Sequence, residues 1–319
     1  MKAAVIDEIG QGPPVLKDID EPPRQAGQTL LEVTAAPINP IDISTASGRY
    51  PGGSPDTPFT AGREAVGRVL ESDSLPEGAR VYVSGLGFLA ERAVVADDNA
   101  VQIDAEVDDA LAASFGVAGL AAWLALEWRG DLREGETVLV LGASGAVGVI
   151  AVQAAKLLGA GRVVAAGRSE QGLERAAQLG ADATVKLGDH EDLAAVFLDA
   201  CDGQLDLVID PVWGEPGAAA VKATSFGGRV VQLGQSAGKE ATLESGWIRS
   251  KLLSILGHTN FAAPAEVRND AYLRMVRDAA AGELTVDYEV MPLDRVAEAW
   301  ELQEASPNRK LVLSPSGVP

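Results

Sequence analysis

The segment VLVLGASGAVG, residues 138–148, is the stretch that decides the fold. An apolar strand, VLVL, runs into a turn of small residues, and an apolar helix pattern, VGVIAVQAAKLLG, follows it. Ala143, Gly145 and Gly148 occupy the three small-residue positions of the A/G-x-G-x-x-G turn of dinucleotide-binding folds. Small residues let the backbone approach a pyrophosphate, and the start of a helix offers free N–H groups. The sequence therefore predicts a dinucleotide site that includes Ser144, Gly145, Ala146 and Val147.

Outward from this segment, short apolar strands alternate with amphipathic helices. The strands include RVVAAG, LDLVID and GRVVQLG, and the helix patterns between them include QGLERAAQLG and HEDLAAVFLDAC. This alternation predicts βαβ units and a doubly wound, parallel Rossmann-type sheet in an α/β protein. We therefore assign residues 118–257 to a dinucleotide-binding domain.

The two flanking regions have a different pattern. Residues 2–117 contain short β-type runs broken by Gly, Pro and Asp, which predicts a mostly antiparallel sheet or partial barrel. The tail, residues 258–319, mixes helix and strand patterns and is too short to fold alone. We expect residues 1–117 and 258–319 to form one substrate domain.

Composition excludes several classes of function. With 46 acidic and 26 basic residues the formal charge is −20, which disfavours nucleic acid and anionic membranes as partners. One cysteine, Cys201, and two histidines, His190 and His258, are too few for the usual Cys and His zinc sites, so we expect no metal. The first residues, MKAAVIDEIG, lack a signal-peptide pattern, and the single cysteine fits a reducing compartment, so we expect a cytoplasmic protein.

Cofactor choice is predicted from the end of the second strand of the dinucleotide-binding domain. NAD-binding folds place an acidic residue there to bond the ribose hydroxyls. This chain has Gly167, Arg168 and Ser169 instead, which leave room for a 2′-phosphate and offer it a guanidinium and a hydroxyl. The sequence therefore favours NADPH.

Further motifs occur in order along the chain: NPID at 39–42, GRYP at 48–51, GREAVG at 62–67 and KLVL at 310–313. Together with the glycine turn, they resemble the zinc-free quinone oxidoreductase branch of the medium-chain dehydrogenase/reductase family over essentially the whole chain. The resemblance implies a Rossmann domain set inside a GroES-like domain. Zinc-dependent members carry metal ligands where this sequence has Ile38 or Asn39, Arg63 and, at the third position, a residue near Ala118. The resemblance therefore also implies that no metal is bound.

The resemblance also implies roles for individual residues. Asn39 would lie beside the nicotinamide ribose or the substrate oxygen, Asp42 would hold the local loop, and Tyr50 would donate a hydrogen bond or proton to the product. From the residues alone, Asn39 and Asp42 are equally compatible with a turn around Pro40, and Tyr50 with a pocket wall. The cofactor would also contact Asn39 and the segments that contribute Ala118, Leu233, Gly234, Gln235, His258, Thr259 and Asn260.

Two positions depart from the family pattern. A lysine that commonly follows the phosphate-binding turn is replaced by Gly172, and a threonine of the segment that enters the cofactor domain is replaced by Ala121. The resemblance further implies a homodimer that pairs through the last parallel strand.

The favoured function is an NADPH-dependent reductase of a small apolar quinone or α,β-unsaturated carbonyl compound. An enoyl-thioester reductase is an alternative, because the segment from NPID to GRYP also resembles those relatives. A non-catalytic NADPH-binding or sensor protein is an alternative of another class, and turnover of an activated alkene or quinone separates it from the enzymes.

Overall fold

The computed structural model describes residues 1–315 and 317, and the chain forms two compact units. Unit 1 contains Met1–Val117 and Tyr272–Pro319, and unit 2 contains Ala118–Ala271. The strands are β1 (Lys2–Ile6), β2 (Val15–Asp18), β3 (Gln28–Ile38), β4 (Phe59–Thr60), β5 (Glu64–Glu71), β6 (Arg80–Ser84), β7 (Arg92–Ala96), β8 (Ala100–Gln102), β9 (Thr137–Leu141), β10 (Arg162–Gly167), β11 (Ala183–Lys186), β12 (Leu207–Asp210), β13 (Arg229–Gln232), β14 (Ser254–Gly257), β15 (Tyr288–Pro292) and β16 (Lys310–Ser314).

Ten α-helices connect these strands within the described residues: α1 (Pro40–Ala46), α2 (Asp109–Ser114), α3 (Leu120–Leu124), α4 (Ala146–Leu157), α5 (Glu170–Gln178), α6 (Leu193–Ala200), α7 (Gly214–Ala223), α8 (Ser245–Lys251), α9 (Ala265–Ala280) and α10 (Val296–Glu304). Two π-helical segments, Phe115–Gly119 and Ala125–Arg129, continue α2 and α3 into one apolar helical run. That run, Asp109–Arg129, is long and apolar enough to cross a membrane, but most of it is buried, as in the core helix of a folded domain.

Unit 2 is built on a six-stranded parallel sheet in the order β11-β10-β9-β12-β13-β14. The central strand β9 is buried at every position, because helices cover both faces of such a sheet. The predicted doubly wound sheet is confirmed. Strand order reverses between β9 and β12, and ligands of open α/β sheets bind beyond the carboxyl ends of the strands at such a point.

Unit 1 contains two mostly antiparallel sheets. One has the order β2-β1-β4, and the other has the order β15-β16-β3-β5-β6-β8, with β7 also paired to β3. Among the described strands of unit 1, β15 and β16 alone pair in parallel, and β16 pairs antiparallel with β3 between Leu313 and Ala36. The C-terminal tail therefore completes the N-terminal sheet, and the predicted antiparallel β architecture is confirmed.

The second boundary between the units lies at Ala271, beyond the predicted position at residue 257. The His258 amide donates to the Gln232 carbonyl at 2.9 Å, which prolongs the pairing of β13 with β14, and Asn260 is buried. The segment after β14 therefore packs with unit 2.

Candidate functional site

The glycine turn of unit 2 links β9 to the start of α4. Gly142 has a φ of +63°, and a Cβ added to Gly148 would lie 2.3 Å from the Gly142 carbonyl oxygen, so both positions need glycine. No side chain of the described residues caps α4, and residues 144–147 are half-exposed. The first N–H groups of a helix have no partner within it, so those of α4 are open to an acceptor. This cradle fits the pyrophosphate of a dinucleotide.

The carboxyl end of β10 brings Gly167 against this turn. A Cβ on Gly167 would lie 3.5 Å from Ser144 Oγ, so the two segments are in contact. Arg168 is exposed and forms no hydrogen bond or ion pair with any residue of the described part of the chain. Ser169 caps α5, because its Oγ accepts the Gly172 amide at 3.1 Å. The positive charge of Arg168, which has no partner among the described residues, therefore lies at the end of β10, where recognition of the adenosine ribose is expected.

Gly172 has a steric reason to lack a side chain. A Cβ added there would lie 2.3 Å from the Ser144 Cβ and 3.1 Å from the Ser144 Cα. The first turn of α5 thus packs directly on the dinucleotide turn. A lysine could not replace Gly172 without displacing Ser144.

The segments after β13 and β14 form the other end of the candidate site in unit 2. Leu233 and Gly234 are half-exposed, whereas Gln235 and Thr259 are exposed. A Cβ on Gly234 would lie 2.2 Å from the Pro211 carbonyl oxygen. The backbone at Gly234 therefore packs directly on the backbone of the turn after β12. Ala118 is 5% exposed and lies in the π-helical segment at the start of unit 2.

His258 follows β14 and is partly buried. Its Nε2 lies 3.2 Å from Asn260 Oδ1, and its Nδ1 is enclosed with no hydrogen-bond partner in residues 1–315 and 317. Burial lowers the pKa of His258, because desolvation disfavours the charged ring. The neutral form of the ring is therefore favoured, and Nδ1 lacks a hydrogen-bond partner among the described residues.

In unit 1, Asn39 joins two buried charges. Its Nδ2 donates to Glu64 Oε1 at 2.9 Å, and Lys310 Nζ donates to its Oδ1 at 2.5 Å. Asn39, Glu64 and Lys310 are 1%, 0% and 3% exposed. The two contacts fix the orientation of the amide, since its oxygen faces the ammonium and its nitrogen faces the carboxylate. Asn39 is therefore a rigid link between α1, β5 and β16.

Glu64 accepts further hydrogen bonds on its other oxygen. The Tyr82 hydroxyl donates to Oε2 at 3.1 Å, and the Val117 amide donates to the same atom. Burial raises the pKa of Glu64 above its ordinary value, while Lys310 and these donors oppose the shift. Three donors converge on the carboxylate, which is the pattern of an ionised group. A Cβ on Gly116 would lie 1.7 Å from Oε2, so this approach requires glycine.

Asp42 lies at the start of α1 and is 4% exposed. Its Oδ2 accepts the Asn39 amide at 2.8 Å, and its Oδ1 is enclosed with no partner among the described residues. Burial raises the pKa of Asp42 to about 7, against the opposing effect of the Asn39 hydrogen bond. Asp42 therefore anchors the loop through the Asn39 amide, but its ionisation lowers the stability of the folded state.

Tyr50 and Arg63 form a second pair of side chains in unit 1. The Arg63 guanidinium carbon lies 5.5 Å from the centre of the Tyr50 ring, within the range of a cation–π contact. Both residues are half-buried, and Arg63 Nη2 donates to Thr45 Oγ1 at 3.1 Å. Tyr50 is thus reachable, unlike Asn39 and Asp42.

Sequence reasoning did not identify Lys310, Glu64 or Tyr82 as members of one cluster. Lys310 opens an apolar strand, a position at which lysine is ordinarily solvated, and Glu64 appeared only as part of a turn motif. A usable signal was present in β16, because Lys310 directly precedes LVLS and every position of this strand is buried.

Metal-ligating residues are dispersed in this chain. Within residues 1–315 and 317, no group of three or more His, Cys, Asp or Glu side chains is arranged to hold a metal ion. Cys201 is buried at the end of α6, and burial raises the pKa of its thiol to about 12. A thiolate at this position is therefore disfavoured near neutral pH.

Comparison with known proteins gives matches over both units. Residues 25–105 match the family described as "Alcohol dehydrogenase GroES-like domain", and residues 146–276 match that described as "Zinc-binding dehydrogenase". The chain is 31% identical to quinone oxidoreductase-like protein 2 of Bos taurus over 80% of this chain and 74% of that protein. It is 29% identical to the quinone oxidoreductase of Homo sapiens, over 94% of this chain and 93% of that protein.

A solved structure of the quinone oxidoreductase from Thermus thermophilus, reported together with its NADPH complex, is also similar. Its TM-score to this chain is 0.81 at 28% identity, covering 98% of this chain and 100% of that one. The likeness therefore spans both units and the tail.

Proposed function

The chain belongs to the quinone oxidoreductase branch of the medium-chain dehydrogenase/reductase family, and on that premise we propose that it is a zinc-independent, NADPH-dependent reductase of a quinone or an α,β-unsaturated carbonyl compound. NADPH, when bound, supplies the hydride, and the chain supplies binding, orientation and a proton. The similar enzyme from Thermus thermophilus, solved with NADPH, supports this cofactor.

The observation that carries the proposal is the end of β10. Gly167 is buried against Ser144, the next two residues are Arg168 and Ser169 rather than a carboxylate, and Arg168 is exposed without an ion-pair partner in the described part of the chain. A guanidinium in this position suits a 2′-phosphate, whereas NAD recognition calls for an acidic group. We assign the pyrophosphate to residues 144–147 and the 2′-phosphate to residues 167–169.

Leu233, Gly234, Gln235, His258, Thr259 and Asn260 are the proposed contacts for the nicotinamide end, with Ala118. Tyr50 is the proposed proton donor, because its side chain is half-buried and reachable. Asn39 and Asp42 are proposed as positioning residues, since both are buried and bonded within unit 1. Zinc independence is proposed because Arg63, a permanent cation, stands where the resemblance places a metal ligand.

The chain is also proposed to act as a homodimer. Strand β14 is an edge of the parallel sheet. Ile255 in this strand is 36% exposed, and Leu252, just before the strand, is 65% exposed. An exposed edge strand with apolar side chains is a ready template for pairing with a second copy. A cytoplasmic location stays a prediction from the sequence.

Oxidation of NADPH and NADH by the purified protein tests the proposal. An ortho-quinone, a cyclic enone and a short trans-2-enoyl thioester serve as acceptors. We expect turnover of the quinone or the enone, with NADPH well ahead of NADH. Preference for the thioester would instead identify an enoyl-thioester reductase, and NADPH binding without turnover of any acceptor would identify a binding protein. Preference for NADH would refute the role given to Arg168.

A further inference from the structure

Arg63 pairs with no carboxylate of the described residues, unlike Arg80 of the same unit, which pairs with Asp109 at 2.9 Å. Within residues 1–315 and 317, Arg63 forms no ion pair, and its one hydrogen bond is to Thr45. A shortage of acidic groups does not explain this, because the chain has 46 carboxylates and 26 basic residues. A half-buried guanidinium left unpaired in so acidic a chain calls for a ligand.

The guanidinium is nevertheless fixed in place. Thr45, which is 2% exposed, accepts from Nη2, and the Tyr50 ring lies on one side at 5.5 Å. The Nε atom is enclosed and has no acceptor among the described residues. Arginine has five N–H donors in a planar fork, so most of them remain available. The guanidinium is therefore held in one orientation, and its donors other than the one bonded to Thr45 have no acceptor among the described residues.

Asp42 does not serve as a hydrogen-bond or ion-pair partner of Arg63. The two groups interact electrostatically, but no hydrogen bond or ion pair joins them, and Asp42 Oδ2 is bonded to the Asn39 amide. Burial also favours the neutral form of Asp42. The positive charge of Arg63 is therefore only partly balanced from within unit 1.

We infer that Arg63 binds the substrate oxygen on which negative charge develops during reduction, so that the site takes planar oxyanions such as enolates and phenolates. This inference rests on the proposed reductase function. Hydride from reduced nicotinamide bonds to the β-carbon of an enone, and the alkene π pair moves so that the carbonyl oxygen becomes an enolate oxygen. The enolate C=C pair then takes a proton from the Tyr50 hydroxyl at the α-carbon as the carbonyl re-forms, and solvent returns a proton to Tyr50.

A guanidinium suits this task because its parallel N–H groups are fixed before the charge appears. Charge-assisted hydrogen bonds of this type are stronger than neutral ones, and donors already aimed at a developing oxyanion lower the barrier. Tyr50 lies against the same guanidinium, so the proposed proton donor and the proposed oxyanion ligand are neighbours. A quinone fits the same arrangement, since its reduction places negative charge on one of its carbonyl oxygens.

Binding of 4-nitrophenol tests the inference without turnover, because its visible spectrum distinguishes phenol from phenolate. The protein with bound NADP⁺ is titrated with this probe across pH as wild type, Arg63→Gln, Arg63→Lys and Arg49→Gln. Arg49→Gln is the matched control, since Arg49 is an exposed cation in the same loop as Tyr50. Circular dichroism and NADP⁺ affinity verify that each variant is folded.

We expect the bound probe to ionise about one pH unit lower in the wild type than in Arg63→Gln. Arg63→Lys should fall between them, and Arg49→Gln should match the wild type. With a cyclic enone, Arg63→Gln should lose about 10²-fold in kcat, and added guanidinium ion should restore part of it. Failure of 4-nitrophenol to bind the wild type, or identical titrations in folded wild type and Arg63→Gln, would overturn the inference. If the probe depends on Arg63 but the wild type reduces no acceptor, the oxyanion site stands and the reductase function fails.

Discussion

The substitution Asp42→Asn should stabilise the protein at alkaline pH. Asparagine can still accept the Asn39 amide through its side-chain oxygen, but it cannot carry a buried charge. Burial raises the pKa of Asp42 from 3.8 to about 7, a difference of about three pH units. Each unit corresponds to about 1.4 kcal/mol, so ionisation of Asp42 costs the folded state about 4 kcal/mol.

The sign follows from linkage. A carboxyl group whose pKa is raised on folding binds its proton more tightly in the folded state, so its contribution is lost as pH rises from about 4 to about 7. The free energy of unfolding of Asp42→Asn, relative to wild type, should therefore increase over this range and then level off. In this difference between the two free energies of unfolding, the contributions of other titrating groups, which are present in both proteins, cancel.

Urea unfolding followed by circular dichroism at closely spaced pH values gives this difference. Asp98→Asn, at an exposed carboxylate, controls for the loss of one negative charge. A pH-independent difference between Asp42→Asn and wild type would refute the reasoning. So would an Asp42→Asn variant that is less stable than wild type at pH 8, because the carboxylate would then stabilise the loop in its charged form.

Four further predictions follow from individual residues. Lys310→Met leaves the buried Glu64 carboxylate without its cation, so we expect a loss of about 3–5 kcal/mol in urea unfolding; an unchanged midpoint would contradict the buried cluster. Arg168→Gln should raise the Kd of NADPH about tenfold and leave that of NADH unchanged in fluorescence titrations. Equal changes in the two Kd values would refute the proposed contact of Arg168 with the 2′-phosphate. Gly172→Lys should lower dinucleotide affinity rather than raise it, because its Cβ would meet the turn at 2.3 Å, while Gly188→Lys, which has open space around it, is the control; tighter binding by the first would refute the steric account. Ile255→Asp should convert the proposed dimer to a monomer in light scattering, and a monomeric wild type would end that proposal.

The fold could be predicted because its signals are local. The glycine turn lies between one strand and the next helix, and the alternation of strands and helices lies within short windows of sequence. The sequence predicts the second domain boundary at residue 257, whereas the second compact unit extends to Ala271. The hydrogen bond from His258 to Gln232, which prolongs the sheet past residue 257, leaves no periodicity in the sequence.

The candidate site could be predicted only in part. Gly172 was interpreted as the loss of a charge, whereas the structure shows that the residue packs on Ser144, a contact invisible to spacing. The contacts of Asn39 with Glu64 and Lys310 join three distant parts of the chain through side-chain atoms. Such contacts have no periodicity, and the apolar run after Lys310 indicates burial of the lysine without identifying its partner.

The contact between Lys310 and Asn39 spans 271 positions, and this has a consequence for synthesis. At rates of about 5–20 residues per second, Asn39 leaves the ribosome on the order of tens of seconds before the lysine that balances its neighbours. Unit 2, a continuous segment, is complete before then. During that interval the first part of unit 1 lacks β16, so chaperones would meet a nascent β sheet with an open edge and with the Glu64 carboxylate still lacking its cation, Lys310.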